Sequence, residues 1–170
     1  MKEFLTRKNI RLKGYDYSSA GAYFVTICVK DGHEMLWDIP PVGAAFGRLS
    51  LPEKRPSLSE IGLLIDAEIS KLDTIYDHLQ IDNYVIMPNH IHLIIRLSAG
   101  LNTNGRPMAA PTISRVMNQF KGSVSKQLGY SIWKKLFHDH IIRSGEDYHR
   151  IFQYIDENPM RWEEDCYYKK

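Results

Sequence analysis

Residues 81–97 read IDNYVIMPNHIHLIIRL, two apolar runs separated by a Pro-Asn pair. Both runs are rich in β-branched residues, which is typical of strands, and the Pro88-Asn89 pair is a turn signal. The sequence therefore predicts an antiparallel hairpin with strands over 81–87 and 91–97. A chain containing such a hairpin has to bury its apolar face against other elements.

Two further strands are predicted outside this hairpin. Residues 22–29 read AYFVTICV and have the composition of a buried strand, and another strand is expected within about 133–142. Residues 32–56 contain four prolines and are interpreted as a hairpin-like insertion with loops. Residues 98–111 are interpreted as a flexible loop, so the 170 residues form a single domain.

Three helices are predicted from apolar residues at helical spacing. Each follows a serine or threonine that can cap its first turn: Ser57 or Ser59, then Thr112, then Ser144, and the last helix ends at Asn158-Pro159. The order strand, helix, two strands, helix, strand predicts a ferredoxin-like α+β fold. In this fold, helices cover one face of an antiparallel sheet, and the last helix is appended to it.

Composition excludes several classes of protein. No run approaches the roughly 18 apolar residues of a membrane span, and the first residues lack the apolar core of a signal peptide. The two cysteines, Cys28 and Cys166, make neither a disulfide framework nor a thiolate cluster. We therefore expect a cytoplasmic protein.

Charge is distributed unevenly along a chain of net charge +2. Residues 1–15 carry five basic side chains and one acidic, and residues 112–143 carry six basic and one acidic. Residues 51–82 carry three basic and seven acidic side chains. This pattern fits a face that binds a polyanion opposite an acidic helix, and it also fits ordinary scattered surface charge.

A pair of histidines, His90 and His92, begins the second strand of the hairpin. Side chains alternate along a strand, so both imidazoles project from one face, roughly 7 Å apart. With ligands from elsewhere in the chain they can chelate one divalent cation. The alternative is two half-exposed histidines bonded to their neighbours.

The last predicted helix places Tyr154 beside its apolar stripe, with Asn158 one turn further on. A phenol and an amide oxygen are thus presented side by side. The alternative for Tyr154 is an exposed tyrosine lying along the surface. The stripe itself consists of Tyr148, Ile151, Phe152 and Ile155.

Three stretches together carry a resemblance to a known family: NIRLKGYDYSSAGAYFVTICV, NYVIMPNHIHLII and HIIRSGEDYHRIFQYIDENPMRW. The chain resembles the single-tyrosine HUH transposases of small, IS200-like insertion sequences, and most of all the REP-associated tyrosine transposases. The resemblance implies an RRM-like sheet with a C-terminal helix that carries the tyrosine. It also implies metal-dependent cleavage and strand transfer of single-stranded DNA near hairpins, through a 5′-phosphotyrosine intermediate.

The resemblance assigns roles to four residues of this chain. His90 and His92 would bind a divalent metal, Mg²⁺ or Mn²⁺, and Tyr154 would be the nucleophile. Asn158 would complete the metal site, where the insertion-sequence branch often has glutamine. Insertion-sequence members act as dimers and REP-associated relatives as monomers, so a homodimer and a monomer both stay open.

Single-stranded DNA is bound by aromatic and basic side chains together. Arg143, at the start of the last helix, could clamp a phosphate or pair with Asp139 or Glu146. The full set of predicted DNA contacts is Lys8, Arg11, Lys13, Tyr15, Tyr17, Arg115, Lys121, Lys126 and Arg143.

Two other functions are compatible with the sequence. If residues 138–140 form a strand, His138 and His140 also share one face. Together with His90 and His92 they could then build a hydrolytic zinc or iron centre. The chain could instead be a domesticated, non-catalytic protein that binds hairpin DNA through an RRM-like sheet.

Overall fold

The computed structural model describes residues 19–38, 57–101, 107–108 and 111–168. Its main sheet has four antiparallel strands in the order β2–β3–β1–β6. These are β1 (Gly21–Cys28), β2 (Leu79–Met87), β3 (His90–Leu97) and β6 (His138–Ile142). Two short strands, β4 (Gly100–Leu101) and β5 (Pro107–Met108), pair with each other.

The helices begin at the predicted caps. Ser59 Oγ accepts a hydrogen bond from the Gly62 amide, and Thr112 and Ser144 cap their helices in the same way. The helices are α1 (Glu60–Ser70), α2 (Leu72–Ile75), α3 (Ile113–Leu128) and α4 (Gly145–Glu157), with 3₁₀ segments at Lys30–Gly32 and Asn158–Glu164. The predicted ferredoxin-like α+β fold is confirmed.

The two faces of the sheet bury different helices. Odd-numbered residues of β3, such as Leu93, belong to the main core together with Ile65 of α1 and Phe120 of α3. On the other face, Ile94 forms a second buried cluster with Ile151 of α4 and its neighbours. Because side chains alternate along a strand, His90 and His92 share the face of Ile94, which is the face that α4 covers.

The two stretches expected to be loops are described only in part. Within 98–111, the described residues include the short strands β4 and β5, which pair antiparallel to each other. Of the predicted insertion, residues 39–56 lie outside the described part, and a bridge between Trp37 and Leu58 joins its ends. The strand expected within about 133–142 is β6, which begins at His138, while Trp133 makes only an isolated bridge to Val29.

Among the described residues, no helix is both long enough and apolar enough to cross a membrane.

Candidate active site

The side chains of His90 and His92 converge beneath α4. Both are buried, with 0% and 2% of their surface exposed. Their Nε2 atoms lie 3.0 Å apart and their ring centroids 4.5 Å apart. The rings therefore lie closer together than the roughly 7 Å expected from strand spacing, and neither histidine is half-exposed as the alternative expected.

The outer nitrogens of both rings are held by neighbouring side chains. Nδ1 of His90 lies 2.9 Å from Oδ1 of Asn89, and Nδ1 of His92 lies 2.8 Å from Oγ1 of Thr26. Burial lowers the pKa of both imidazoles to about 3. Both rings are therefore neutral at neutral pH, and each keeps one nitrogen lone pair that can bind a cation.

The tyrosine reaches the histidines because α4 packs on the same face. The hydroxyl oxygen of Tyr154 lies 3.3 Å from Nε2 of His92, and 42% of the residue is exposed. Two polar contacts also hold α4 on the sheet: the Tyr148 hydroxyl donates to Asp82, and Asn83 donates to Asp156. The phenol is thus next to the paired imidazoles and open to a ligand from outside.

Asn158 follows α4 directly and is 4% exposed. Its Nδ2 atom donates to Oδ2 of Asp165 over 3.1 Å. Its Oδ1 atom is buried and has no hydrogen-bond partner. A buried, unpaired amide oxygen is costly, and a cation at this position would satisfy it.

Asp165 belongs to the same cluster, although the sequence did not reveal it. Its Oδ2 atom lies 3.3 Å from the Tyr154 hydroxyl oxygen and 3.9 Å from Nε2 of His90. Its Oδ1 atom accepts a hydrogen bond from the Tyr167 amide, and the Tyr167 ring lies 4.4 Å from the His90 ring. Asp165 stands in a charged tail beyond the helix stop, where no periodic pattern marks it.

The residues present fit a divalent metal. Ligand atoms of His90, His92 and Asp165 all lie within 4.8 Å of one another, and the Asn158 side chain, whose Oδ1 is unpaired, contacts Asp165. Imidazole nitrogens with amide and carboxylate oxygens suit Mn²⁺ and, with more water ligands, Mg²⁺. The cluster borders a cavity of about 350 Å³ that Tyr154, Asn158 and Asp165 help to line.

The phenol itself is hard to ionise in this environment. Burial, with a smaller contribution from the carboxylate of Asp165, raises the pKa of Tyr154 to about 12. A phenol with such a pKa is protonated at neutral pH. Positive charge beside it would favour the phenolate.

Other predicted site residues lie elsewhere or outside the described part. His138 and His140 do not join the metal cluster among the described residues. His140 bonds Asp147 over 2.7 Å, so the four-histidine centre is not formed. The predicted contacts Lys8, Arg11, Lys13, Tyr15 and Tyr17 lie outside the described residues.

The four predicted basic contacts within the described part differ in position. Arg143 is exposed just before α4. Arg115 and Lys126 are exposed on α3, which covers the face opposite the tyrosine. Lys121 is buried, and its ammonium donates to the carbonyl oxygens of Lys134 and Lys135. We therefore propose no DNA contact for Lys121.

No family model matches the sequence. An uncharacterised protein from Haemophilus influenzae (strain Rd) is 30% identical over 179 residues, which cover 95% of this chain and 93% of that protein. The chain belongs to the family of this Haemophilus protein. The similarity covers nearly the whole length of both chains, so family membership applies to the chain as a whole.

Two solved structures resemble the fold. A REP-associated tyrosine transposase bound to a REP hairpin has 20% identity and a TM-score of 0.60, covering 84% of this chain and 68% of that chain. A candidate transposase from Deinococcus radiodurans R1 has 14% identity and a TM-score of 0.49, covering 86% of this chain and 95% of that chain. The expected resemblance to the REP-associated tyrosine transposases is confirmed at the level of the fold.

Proposed function

We propose that the chain is a metal-dependent tyrosine transposase of the HUH class, an endonuclease that cleaves and rejoins single-stranded DNA. One observation carries the proposal: the Tyr154 hydroxyl oxygen lies 3.3 Å from Nε2 of His92, and Tyr154 and Asn158 both donate to the same oxygen of Asp165. A nucleophile and a set of cation ligands are therefore close enough to act on one phosphodiester.

The reaction is a transesterification in which Tyr154 is the nucleophile. Its phenolic oxygen loses its proton and forms a bond to the backbone phosphorus, and the bond from phosphorus to the 3′ oxygen breaks. The 3′ oxygen leaves as a hydroxyl after taking up a proton, and a 5′-phosphotyrosine remains. Attack by another 3′-hydroxyl on this linkage reverses the step and joins two strands. One phosphodiester is exchanged for another, so no nucleotide hydrolysis is needed.

Each residue of the site has a part in this chemistry. A cation held by His90, His92 and Asn158 would neutralise charge on the scissile phosphate and on the leaving oxygen. Asp165 accepts a hydrogen bond from the Tyr154 hydroxyl over 3.3 Å and so orients the phenol. Tyr154 is 42% exposed and lines the cavity, so a DNA strand can approach its ring from that side.

The proposed substrate is a single strand beside a DNA hairpin. The transposase with the similar fold was solved bound to a REP hairpin, which supports this class of substrate. Arg143, exposed before α4, and Arg161, which lines the cavity beside Tyr154, are proposed to contact backbone phosphates near the site. Arg115 and Lys126 are proposed to bind a more distant part of the DNA.

The test is cleavage of labelled hairpin oligonucleotides with single-stranded flanks, in Mn²⁺ or in EDTA. We expect a protein–DNA adduct that survives denaturing gels, requires the metal, and is absent in Tyr154→Phe. That variant keeps the aromatic ring and should bind the hairpin as the wild type does. An adduct formed by Tyr154→Phe, or one formed equally in EDTA, contradicts the proposal. Tight binding with no metal-dependent nicking would instead identify a non-catalytic hairpin-binding protein.

A further inference from the structure

The side chain of Asn89 has a fixed orientation in the turn between β2 and β3. It is 2% exposed, and its Nδ2 atom donates to two carbonyl oxygens, those of Gly32 over 3.3 Å and Tyr167 over 2.9 Å. Carbonyl oxygens accept but cannot donate, so the amide nitrogen has to face them. The amide oxygen therefore faces Nδ1 of His90, at 2.9 Å.

This orientation determines the tautomer of His90. An amide oxygen only accepts hydrogen bonds, so Nδ1 of His90 has to carry the proton. In the neutral ring, the lone pair then lies on Nε2. That atom faces Nε2 of His92 at 3.0 Å, where a cation would bind.

Thr26 makes a different contact with His92. The residue is 4% exposed, and its Oγ1 atom lies 2.8 Å from Nδ1 of His92. A hydroxyl can either donate or accept. When no cation is bound, the hydroxyl can donate to Nδ1 while Nε2–H of His92 donates to His90. When a cation takes both Nε2 lone pairs, Nδ1–H of His92 can donate to the same hydroxyl.

We propose that Asn89 and Thr26 are positioning residues of the metal site: Asn89 holds His90 as the Nδ1–H tautomer, and Thr26 accommodates a change of tautomer at His92 when a cation binds. The ring of His92 keeps one proton throughout and only its position changes. The inference rests on the cation-binding part of the proposed function and is independent of DNA cleavage.

Isothermal titration with Mn²⁺ tests the role of Thr26. In Thr26→Val, binding a cation would leave Nδ1–H of His92 buried without an acceptor. Loss of such a partner typically costs 10- to 100-fold in metal affinity, so we expect a weakening of about that size. Thr26→Ser retains the hydroxyl and should bind within a few-fold of the wild type. Unchanged affinity in Thr26→Val overturns the role of Thr26.

The ¹⁵N chemical shifts of the histidine rings test both tautomers in the wild type, without any substitution. We expect His90 to carry its proton on Nδ1 before and after addition of diamagnetic Zn²⁺, and His92 to change from Nε2–H to Nδ1–H. A proton on Nε2 of metal-free His90 overturns the role of Asn89, and an unchanged His92 overturns that of Thr26. Failure of the wild type to bind any cation would refute the proposed function instead.

Discussion

Ile94 of β3 and Ile155 of α4 belong to one buried apolar cluster on the face of the sheet opposite α1 and α3. His92 stands two positions before Ile94 on the same face, and Tyr154 directly precedes Ile155. The apolar cluster that docks α4 therefore also sets the distance between the phenol and the imidazole. A change in the placement of α4 on the sheet would therefore alter both the apolar packing and the distance from Tyr154 to His92.

Asn158 should be necessary for tight metal binding. Asn158→Leu keeps the approximate volume of the side chain and removes Oδ1, the buried oxygen that has no partner. We expect the affinity for Mn²⁺, measured by titration calorimetry, to fall by at least about tenfold. Asn158→Asp is the matched control, since it retains an oxygen at this position and should retain metal binding. Equal affinity in Asn158→Leu and the wild type would exclude Asn158 as a ligand.

Gly62 should tolerate no side chain, because α1 approaches the backbone of Leu36 closely. A Cβ atom at Gly62 would lie 2.2 Å from the Leu36 carbonyl oxygen, whereas one at Gly122 of α3 would meet nothing within 4 Å. We expect Gly62→Ala to lower the free energy of unfolding by about 1–3 kcal/mol. Gly122→Ala should raise it by up to about 1 kcal/mol, since alanine favours helix. Urea denaturation measures both, and shifts of the same sign would contradict the close approach.

Glu68 should make stability depend on pH. Hydrogen bonds from Lys71 and then Ser123 lower the pKa of this buried carboxyl below its ordinary value of 4.5. The folded state therefore holds the proton less tightly than the unfolded state does. The resulting stabilisation is complete above about pH 4.5 and is lost as pH falls through the folded pKa.

Unfolding free energies of the wild type and Glu68→Gln between pH 7 and pH 3 test this. Glutamine cannot ionise, so the difference in stability between the two proteins should shrink as the pH falls below 4.5. Curves that stay parallel over the whole range would show that Glu68 has the same pKa in both states.

The sequence predicted the fold and the relative placement of four candidate site residues, because each has a local signal. Strand alternation predicted one face for His90 and His92, and helical spacing predicted that Tyr154 and Asn158 would be neighbours. Asp165 and Thr26 could not be found in this way. Asp165 directly follows a 3₁₀ segment that has no apolar periodicity. Thr26 contacts His92 because the pairing of β1 with β3 places these two residues opposite each other.

The sequence was also misread at Lys121. The sequence interpretation placed it off the apolar face of α3, although it stands four positions after Met117 and three before Val124, at the edge of that face. The chain leading to β6 passes over this position, and the carbonyl oxygens of Lys134 and Lys135 accept hydrogen bonds from that ammonium. Helical spacing thus indicates the partial burial of Lys121, whereas its carbonyl partners come from a distant segment and have no signature in the local pattern.

Mass spectrometry of the peptide that carries the DNA adduct can identify the nucleophile of the reaction. After incubation of the wild type with Mn²⁺ and a hairpin oligonucleotide, followed by nuclease and protease digestion, we expect a 5′-linked nucleotide on Tyr154, whose hydroxyl oxygen lies 3.3 Å from Nε2 of His92. A covalent nucleotide on any other residue, or cleavage that proceeds with no covalent intermediate, would contradict this expectation.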